Sequence, residues 1–184
     1  MSGSVGDNTA RASGVIASAG GGAILQVKSV EVTSAISVGT NTTPVAITAF
    51  NIAFTPTADT SKLCLQASMT VGGDGYRAGG YFYDSTGAAI ISPIGDTAGS
   101  RQRLTYGCAT PLGGDSAPVI NYTAWFTPGD TTTRTIQIWG AASGAGTLYI
   151  NRTGDDTNNN TIFNSRSAST FTITEYDGSL VTVA

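Results

Sequence analysis

Apolar and polar residues alternate along most of this chain, and no segment sustains the 3.6-residue period of an amphipathic helix. The clearest alternation runs over Lys62–Val71. Leu63, Leu65, Ala67, Met69 and Val71 fall on one face, and Cys64, Gln66, Ser68 and Thr70 fall on the other. A period of two is that of a strand with one buried face. Val45–Phe54 shows the same rhythm, with Ala46, Phe50, Ile52 and Phe54 sharing a side. Ile24–Thr33 reads as a strand with a bulge, because its apolar phase slips between Val27 and Val30. Further strands are expected over Tyr76–Tyr83, Gly87–Ile91, Arg103–Tyr106, Val119–Phe126, Arg134–Trp139, Thr147–Asn151 and Thr170–Tyr176. Turn chemistry separates them: Thr55-Pro56, Gly72-Gly73-Asp74-Gly75, Asp84-Ser85-Thr86-Gly87, Gly113-Gly114-Asp115, Pro128-Gly129-Asp130 and Asn158-Asn159-Asn160.

Roughly eight to ten short strands with regular turns predict an all-β fold, an antiparallel β-sandwich or jelly roll. Residues 24–184 would form this domain. Residues 1–23 differ: they hold no aromatic and few large side chains, and they cannot build a core of their own. Such a leader either stays disordered or becomes an extended arm ordered on a partner. In the arm reading, Val5, Val15 and Ile16 are the apolar anchors, and Gly20-Gly21-Gly22 is the hinge. Some strands, Val119–Phe126 above all, carry apolar residues on both faces. A lone sandwich buries only one face of each sheet, so a homo-oligomer, a trimer, is expected.

Composition sharpens this picture. Of 184 residues only 11% are charged, against roughly 25% in an average soluble domain. Lysine occurs only at Lys28 and Lys62, and glutamate only at Glu31 and Glu175. A chain poor in Lys and Glu but rich in Asp, Asn, Gly and Thr is built of strands and turns. Net charge is -3 and no basic run exists, which argues against nucleic-acid binding. No apolar run approaches the length of a membrane-spanning helix, and the segment before Ala17-Ser18-Ala19 lacks the charged and apolar regions of a signal peptide. The Asn-x-Thr sites at Asn41, Asn121, Asn151 and Asn159 are then by-products of an Asn/Thr-rich composition. Cys64 and Cys108 are expected to be free, partly buried thiols.

The chemistry is mostly negative. Histidine is absent. Gly114-Asp115-Ser116 resembles the surroundings of a nucleophilic serine, but that serine would have no histidine base, so a Gly-rich turn is expected. No nucleotide-binding glycine motif is present. A glycan-degrading enzyme would need two carboxylates at a set separation, and nearly all the acids here sit in turns. Asp156-x-Asn158-x-Asn160 begins like a calcium loop, but Thr161 stands where glycine is needed and Ser167 where a bidentate glutamate is needed. A solvated loop is the expectation. Two distant cysteines without histidine do not make a zinc site. The chain is therefore expected to be no enzyme, with no catalytic, cofactor-binding or metal-binding residue. Tyr76, Tyr81 and Tyr83 are the candidates for surface binding, and Trp125 and Trp139 could share that role or pack at an interface.

Several segments carry a resemblance. They are Gly6-Asp7-Asn8-Thr9-Ala10-Arg11-Ala12-Ser13-Gly14-Val15-Ile16, Ile24-Leu25-Gln26-Val27, and Phe54-Thr55-Pro56-Thr57 with Ser61-Lys62-Leu63. Further along come Gly95-Asp96-Thr97-Ala98-Gly99-Ser100-Arg101, Tyr149-Ile150-Asn151-Arg152 and Ser169-Thr170-Phe171-Thr172-Ile173-Thr174-Glu175-Tyr176. In this order the chain resembles small β-rich proteins of tailed bacteriophages, especially marine ones, described as tail-fibre or virion proteins with C1q/TNF-like jelly rolls. The resemblance implies a trimeric jelly roll displayed on a virion, made and assembled in the cytoplasm of a bacterial host. The sequence has no coiled-coil, collagen-like or β-helical shaft, so a short appendage, a fibre tip or a head-mounted decoration fits better than a long fibre. With an anchor-like leader, a loop-rich β domain and no catalytic groups, the expected function is a structural knob for attachment to a host-surface glycan or protein, joined to other virion proteins through residues 1–23. The alternatives are a capsid decoration protein that stabilises the head and, more remotely, a glycan-degrading enzyme.

Overall fold

A computed structural model describes residues 23–39, 43–73, 76–91, 93–112, 117–142, 146–156 and 166–183. The leader anchors Val5, Val15 and Ile16 lie outside the described residues. Twelve strands follow in order: β1 Ile24–Val32, β2 Ile36–Gly39, β3 Val45–Ala46, β4 Ile52–Phe54, β5 Lys62–Gly73 and β6 Tyr76–Asp84. Then come β7 Ala89–Ile91, β8 Tyr106–Leu112, β9 Val119–Phe126, β10 Arg134–Ala142, β11 Leu148–Ile150 and β12 Ser169–Tyr176. All pairings are antiparallel.

The first sheet runs β1-β12-β5-β9, and β11 and β2 extend it beyond the far end of β5. In the second, β10 is flanked by β3 and β4 on one side and by β6 on the other, with β7 and β8 outside β6. Among the eight main strands β1, β4, β5, β6, β8, β9, β10 and β12, the first sheet joins the first, eighth, third and sixth. The second sheet joins the second, seventh, fourth and fifth. That interleaving is a jelly roll, as the alternation predicts.

The inner faces make the core. Leu63, Leu65, Ala67, Met69 and Val71 of β5 are all buried, as expected for that face. Phe82 of the second sheet stacks on Phe171 of the first, with ring centroids 5.4 Å apart, and meets Tyr122 at 4.7 Å. Burying each such side chain stabilises by roughly 1.5–3 kcal/mol. Burial also pushes the Tyr122 and Tyr106 phenols well above their ordinary range.

Several local expectations need correction. Val45–Phe54 is not one strand. A single 3-10 turn at Thr48–Phe50 breaks it, closed by the Phe50 amide donating to the Ile47 carbonyl at 3.0 Å. The turn drives both Ile47 and Phe50 into the core, which a straight strand would not allow. The irregularity in β1 lies between Ile24 and Gln26, at the strand start, not between Val27 and Val30. The strand expected at Arg103–Tyr106 begins only at Tyr106, and β2 had no clear alternation to announce it. Cys64 and Thr70, assigned outward on β5, are nonetheless buried. Cys64 lies opposite Trp125, whose ring packs 5.4 Å from that of Tyr176 on the same outer face. Cys64 is a free thiol, and burial pushes its pKa up. The outer side of β9 holds Val119, Asn121, Thr123 and Trp125, so it is mixed rather than apolar.

Three buried polar groups lock the layers. Asn151 sits in the left-handed region at φ 63 and is fully buried. Its amide nitrogen donates to the carbonyls of Val32 at 2.5 Å and Ser34 at 3.1 Å, and its oxygen accepts from the Ser169 hydroxyl at 2.5 Å. Ser169 in turn accepts from the Thr70 amide at 3.0 Å. Asparagine tolerates this backbone better than most residues. The same burial removes Asn151 as a glycan acceptor in the folded chain. Arg134 donates to Asp84 at 2.5 Å, to the Pro128 carbonyl at 2.8 Å and to Asp130 at 2.7 Å. Glu175 accepts from Gln26 at 2.6 Å and from the amide and hydroxyl of Thr57 at 2.7 and 2.8 Å.

Candidate functional site: the aromatic outer face

The two halves of β6 alternation have separate jobs. Phe82 points into the core, so Tyr81 and Tyr83 point out. On β10, Ile136 and Ile138 are buried inside, which places Gln137 and Trp139 outside. Register pairs Trp139 with Tyr81 and Gln137 with Tyr83. The three rings therefore form one cluster. Trp139 lies 4.4 Å from Tyr83 and stacks on Tyr81 at 5.9 Å, and the two tyrosines are 6.3 Å apart. The indole N–H donates to the Gln137 side-chain oxygen at 2.9 Å, which fixes the ring's orientation. On β7, Ile90 sits opposite Tyr83 and is 41% exposed.

Close approach of the strands makes this packing possible. A Cβ on Gly80 would collide with the Trp139 carbonyl and the Tyr106 ring, so only glycine fits between Tyr81 and its neighbours here.

The segment 93–105 borders the cluster. The Gly95 amide donates to the Leu104 carbonyl at 3.0 Å, and Arg103 Nε donates back to the Gly95 carbonyl at 2.6 Å. The Thr105 amide ties the segment to β6 through the Gly80 carbonyl at 2.8 Å. Between this loop and the sheet lies a groove of about 370 Å³. Tyr81, Pro44, Ile90, Ile94, Arg101 and Arg103 are among the residues lining it. Burial first, and the neighbouring Tyr83 second, raise the Tyr81 phenol above its usual range, so it stays a neutral donor at physiological pH.

The structure thus brings Tyr81 and Tyr83 together, with Tyr81 largely covered and forming the floor. Tyr76 opens β6, but its side chain lies outside the described residues. Trp125 is on the other sheet, against Tyr176. Ile90, Pro44, Arg101 and Arg103 escaped the sequence reading, because loop residues acquire a shared location only from the fold.

Two acids named in the turns are occupied elsewhere. Asp84 is held by Arg134 and by the amides of Thr86 and Gly87. Asp156 pairs with Arg152 at 3.1 Å and Arg166 at 2.6 Å, while Asn158 and Asn160 lie outside the described residues. Among the described residues, no group of three or more metal-ligating side chains converges. No described helix is long and apolar enough to cross a membrane.

No family model matches the chain, and no curated protein matches it. Among solved structures, it is similar to infectious bursal disease virus, Gt strain, at 12% identity and a TM-score of 0.43, over 82% of this chain and 37% of that one. Particles derived from the same virus with T=1 symmetry match at 13% identity and a TM-score of 0.43, over 82% and 36%. A subviral particle of its VP2 protein matches at 12% identity and 0.43, over 81% and 37%. The chain spans little more than a third of each of these chains.

Proposed function

We propose that this protein is a structural component of a bacteriophage particle, a non-enzymatic knob that contacts the host surface through the outer face of its second sheet. The observation that carries the reading is the Tyr81–Tyr83–Trp139 cluster. A folded sandwich does not need three adjoining aromatics on the side away from its core, and such rings are typical anchors in recognition surfaces. The resemblance of the leader and strand segments to phage virion proteins supplies the setting: a virion, assembled in the cytoplasm of a bacterial host. Residues 1–23 serve as the arm that joins the knob to other virion proteins.

A homotrimer is part of this reading. Ile24, Leu25 and Val27 on β1, and Val119 on β9, are large apolar residues exposed on edge strands of the first sheet. Edge strands with exposed apolar side chains gain from being covered by another copy.

Antibody labelling of intact particles, followed by imaging, tests the assignment. Label at the tail end, together with competition of host adsorption by the purified full chain, is the expected result. Label spread over the head, with normal adsorption by particles that lack the protein, would make it a decoration protein instead.

A further inference from the structure

We propose that the groove between segment 93–105 and the aromatic cluster binds a carboxylated sugar, with Arg101 and Arg103 taking the carboxylate and Tyr81 and Ile90 receiving the ring. This rests on the reading of that face as a recognition surface and names its ligand class.

The argument starts from where the positive charges are spent. Arg134 is held by Asp84 and Asp130, and Arg152 and Arg166 share Asp156. Lys28 donates to the Ala53 carbonyl and lies over the Phe54 ring, and Lys62 donates to the Thr127 hydroxyl. Arg101 and Arg103 form no ion pair among the described residues, although Asp96 stands on the same loop. Both are exposed, both line the groove, and they are two residues apart in a chain of net charge -3.

Arg103 is also oriented. Its Nε is committed to the Gly95 carbonyl at 2.6 Å, which restrains the guanidinium plane, and its terminal nitrogens form no ion pair among the described residues. A planar fork of this kind matches a carboxylate with two parallel hydrogen bonds. The remaining walls exclude a simple inorganic anion as the best fit. Ile90, Ile94, Pro44 and Tyr81 offer apolar surface, and about 370 Å³ is far more than a small anion fills. A pyranose has an apolar C–H face for Ile90 and Ile94, hydroxyls for the part of Tyr81 that lines the groove and, in a uronic acid, one carboxylate for the arginines. Tyr83 and Trp139 continue the aromatic surface beyond Tyr81, where a neighbouring sugar unit would lie.

Titration calorimetry of the full chain with trigalacturonate, and with its methyl ester, tests this. The ester keeps every ring atom and hydroxyl but removes the charge. Saturable binding to the acid is expected, with the ester weaker by on the order of tenfold, the size of one lost charge-assisted contact. Arg101→Gln should weaken the acid similarly without changing the melting temperature, since that exposed side chain forms no ion pair among the described residues. Arg103→Lys keeps the charge but not the fork, and should weaken it as well. Raised salt should weaken binding to the acid and leave the ester unaffected.

Equal affinity for acid and ester, or an Arg101→Gln variant that binds the acid as tightly as the parent, would overturn the proposal. Dextran sulfate binding as tightly as trigalacturonate would also overturn it, since the site would then read charge alone. No binding to any of the three would overturn it too. If the chain still competes for host adsorption in that last case, and Trp139→Ala abolishes the competition, the recognition face stands and only the acidic-sugar assignment falls.

Discussion

The centres of the two outer faces of this sandwich are built on equivalent strands and end in different chemistry. On the first sheet, Thr170, Thr172, Gln66, Ser68, Asn121 and Thr123 point outward from β12, β5 and β9 and line a shallow polar depression, with the Trp125–Tyr176 ring pair beyond one end of it. Ser29 of β1 continues it by bonding the Thr172 hydroxyl at 2.9 Å. On the second sheet the same alternation presents Tyr81, Tyr83, Trp139 and Ile90. Short uncharged side chains hydrate easily and offer little apolar area, whereas clustered rings offer much. The inner faces must pack to a common density, so they are alike. The outer faces are free of that demand, and there the difference between scaffold and candidate site is written.

The comparison can be broken at several depths. The deepest cut is Phe82→Ala, which removes the ring stacked between the sheets. It should cost about 3–5 kcal/mol and lower the denaturation midpoint for both faces at once. Two separate transitions in urea would show that the sheets do not share one core.

Next is Glu175→Gln, which probes how the first sheet is fastened at its corner. Burial alone would raise this carboxyl, but hydrogen bonds from the Thr57 amide and hydroxyl and from Gln26 outweigh it and hold the pKa below the ordinary glutamate value. A group with a depressed folded pKa stabilises at all pH above its unfolded value, and that contribution fades as pH falls through the folded one. The parent should therefore lose stability below the normal glutamate range. The variant should be weaker by about 1–3 kcal/mol at neutral pH and lose less on acidification. Parallel stability curves from pH 7 to pH 3 would contradict this.

Trp139→Ala acts on one face only. A change of about 1 kcal/mol in stability is expected from the lost ring pairs, alongside loss of competition for host adsorption. The smallest effect should come from Gln66→Ala on the polar face, within about 0.5 kcal/mol and with adsorption competition intact. If the two variants trade places in the adsorption assay, the recognition surface is the first sheet.

Legibility in the sequence followed the same divide. β5 could be placed from Leu63 to Val71 because one face is buried along its whole length. β9 was bounded correctly at Val119 and Phe126 for a related reason, since a strand ending in turns on both sides keeps its length. Val45–Phe54 misled because a 3-10 turn can occupy positions that alternate apolar and polar while redirecting the chain. Of the site, Tyr81 and Tyr83 were visible as outward aromatics two residues apart. Their partner Trp139 lies more than fifty residues on, and only strand register brings it to Tyr81. Arg101, Arg103 and Pro44 had no local signal at all, because a groove wall made by a loop has no period. The Asn151 lock was hidden in a similar way: a lone asparagine reads as a turn until Val32, Ser34 and Ser169 are seen around it.

One feature of strand order bears on how this protein is made. β12 is the last of the twelve strands, yet it lies between β1 and β5, and residue 151 cannot complete its bonds until Ser169 arrives. While the ribosome is still translating, β1 has no pairing neighbour in the first sheet and β5 has a bare side. The first sheet closes only when β12 slots in, so a chain cut short before Ser169 should be a substrate for proteases. Placing β12 between β1 and β5 makes closure of the first sheet wait for the synthesis of residues 169–176.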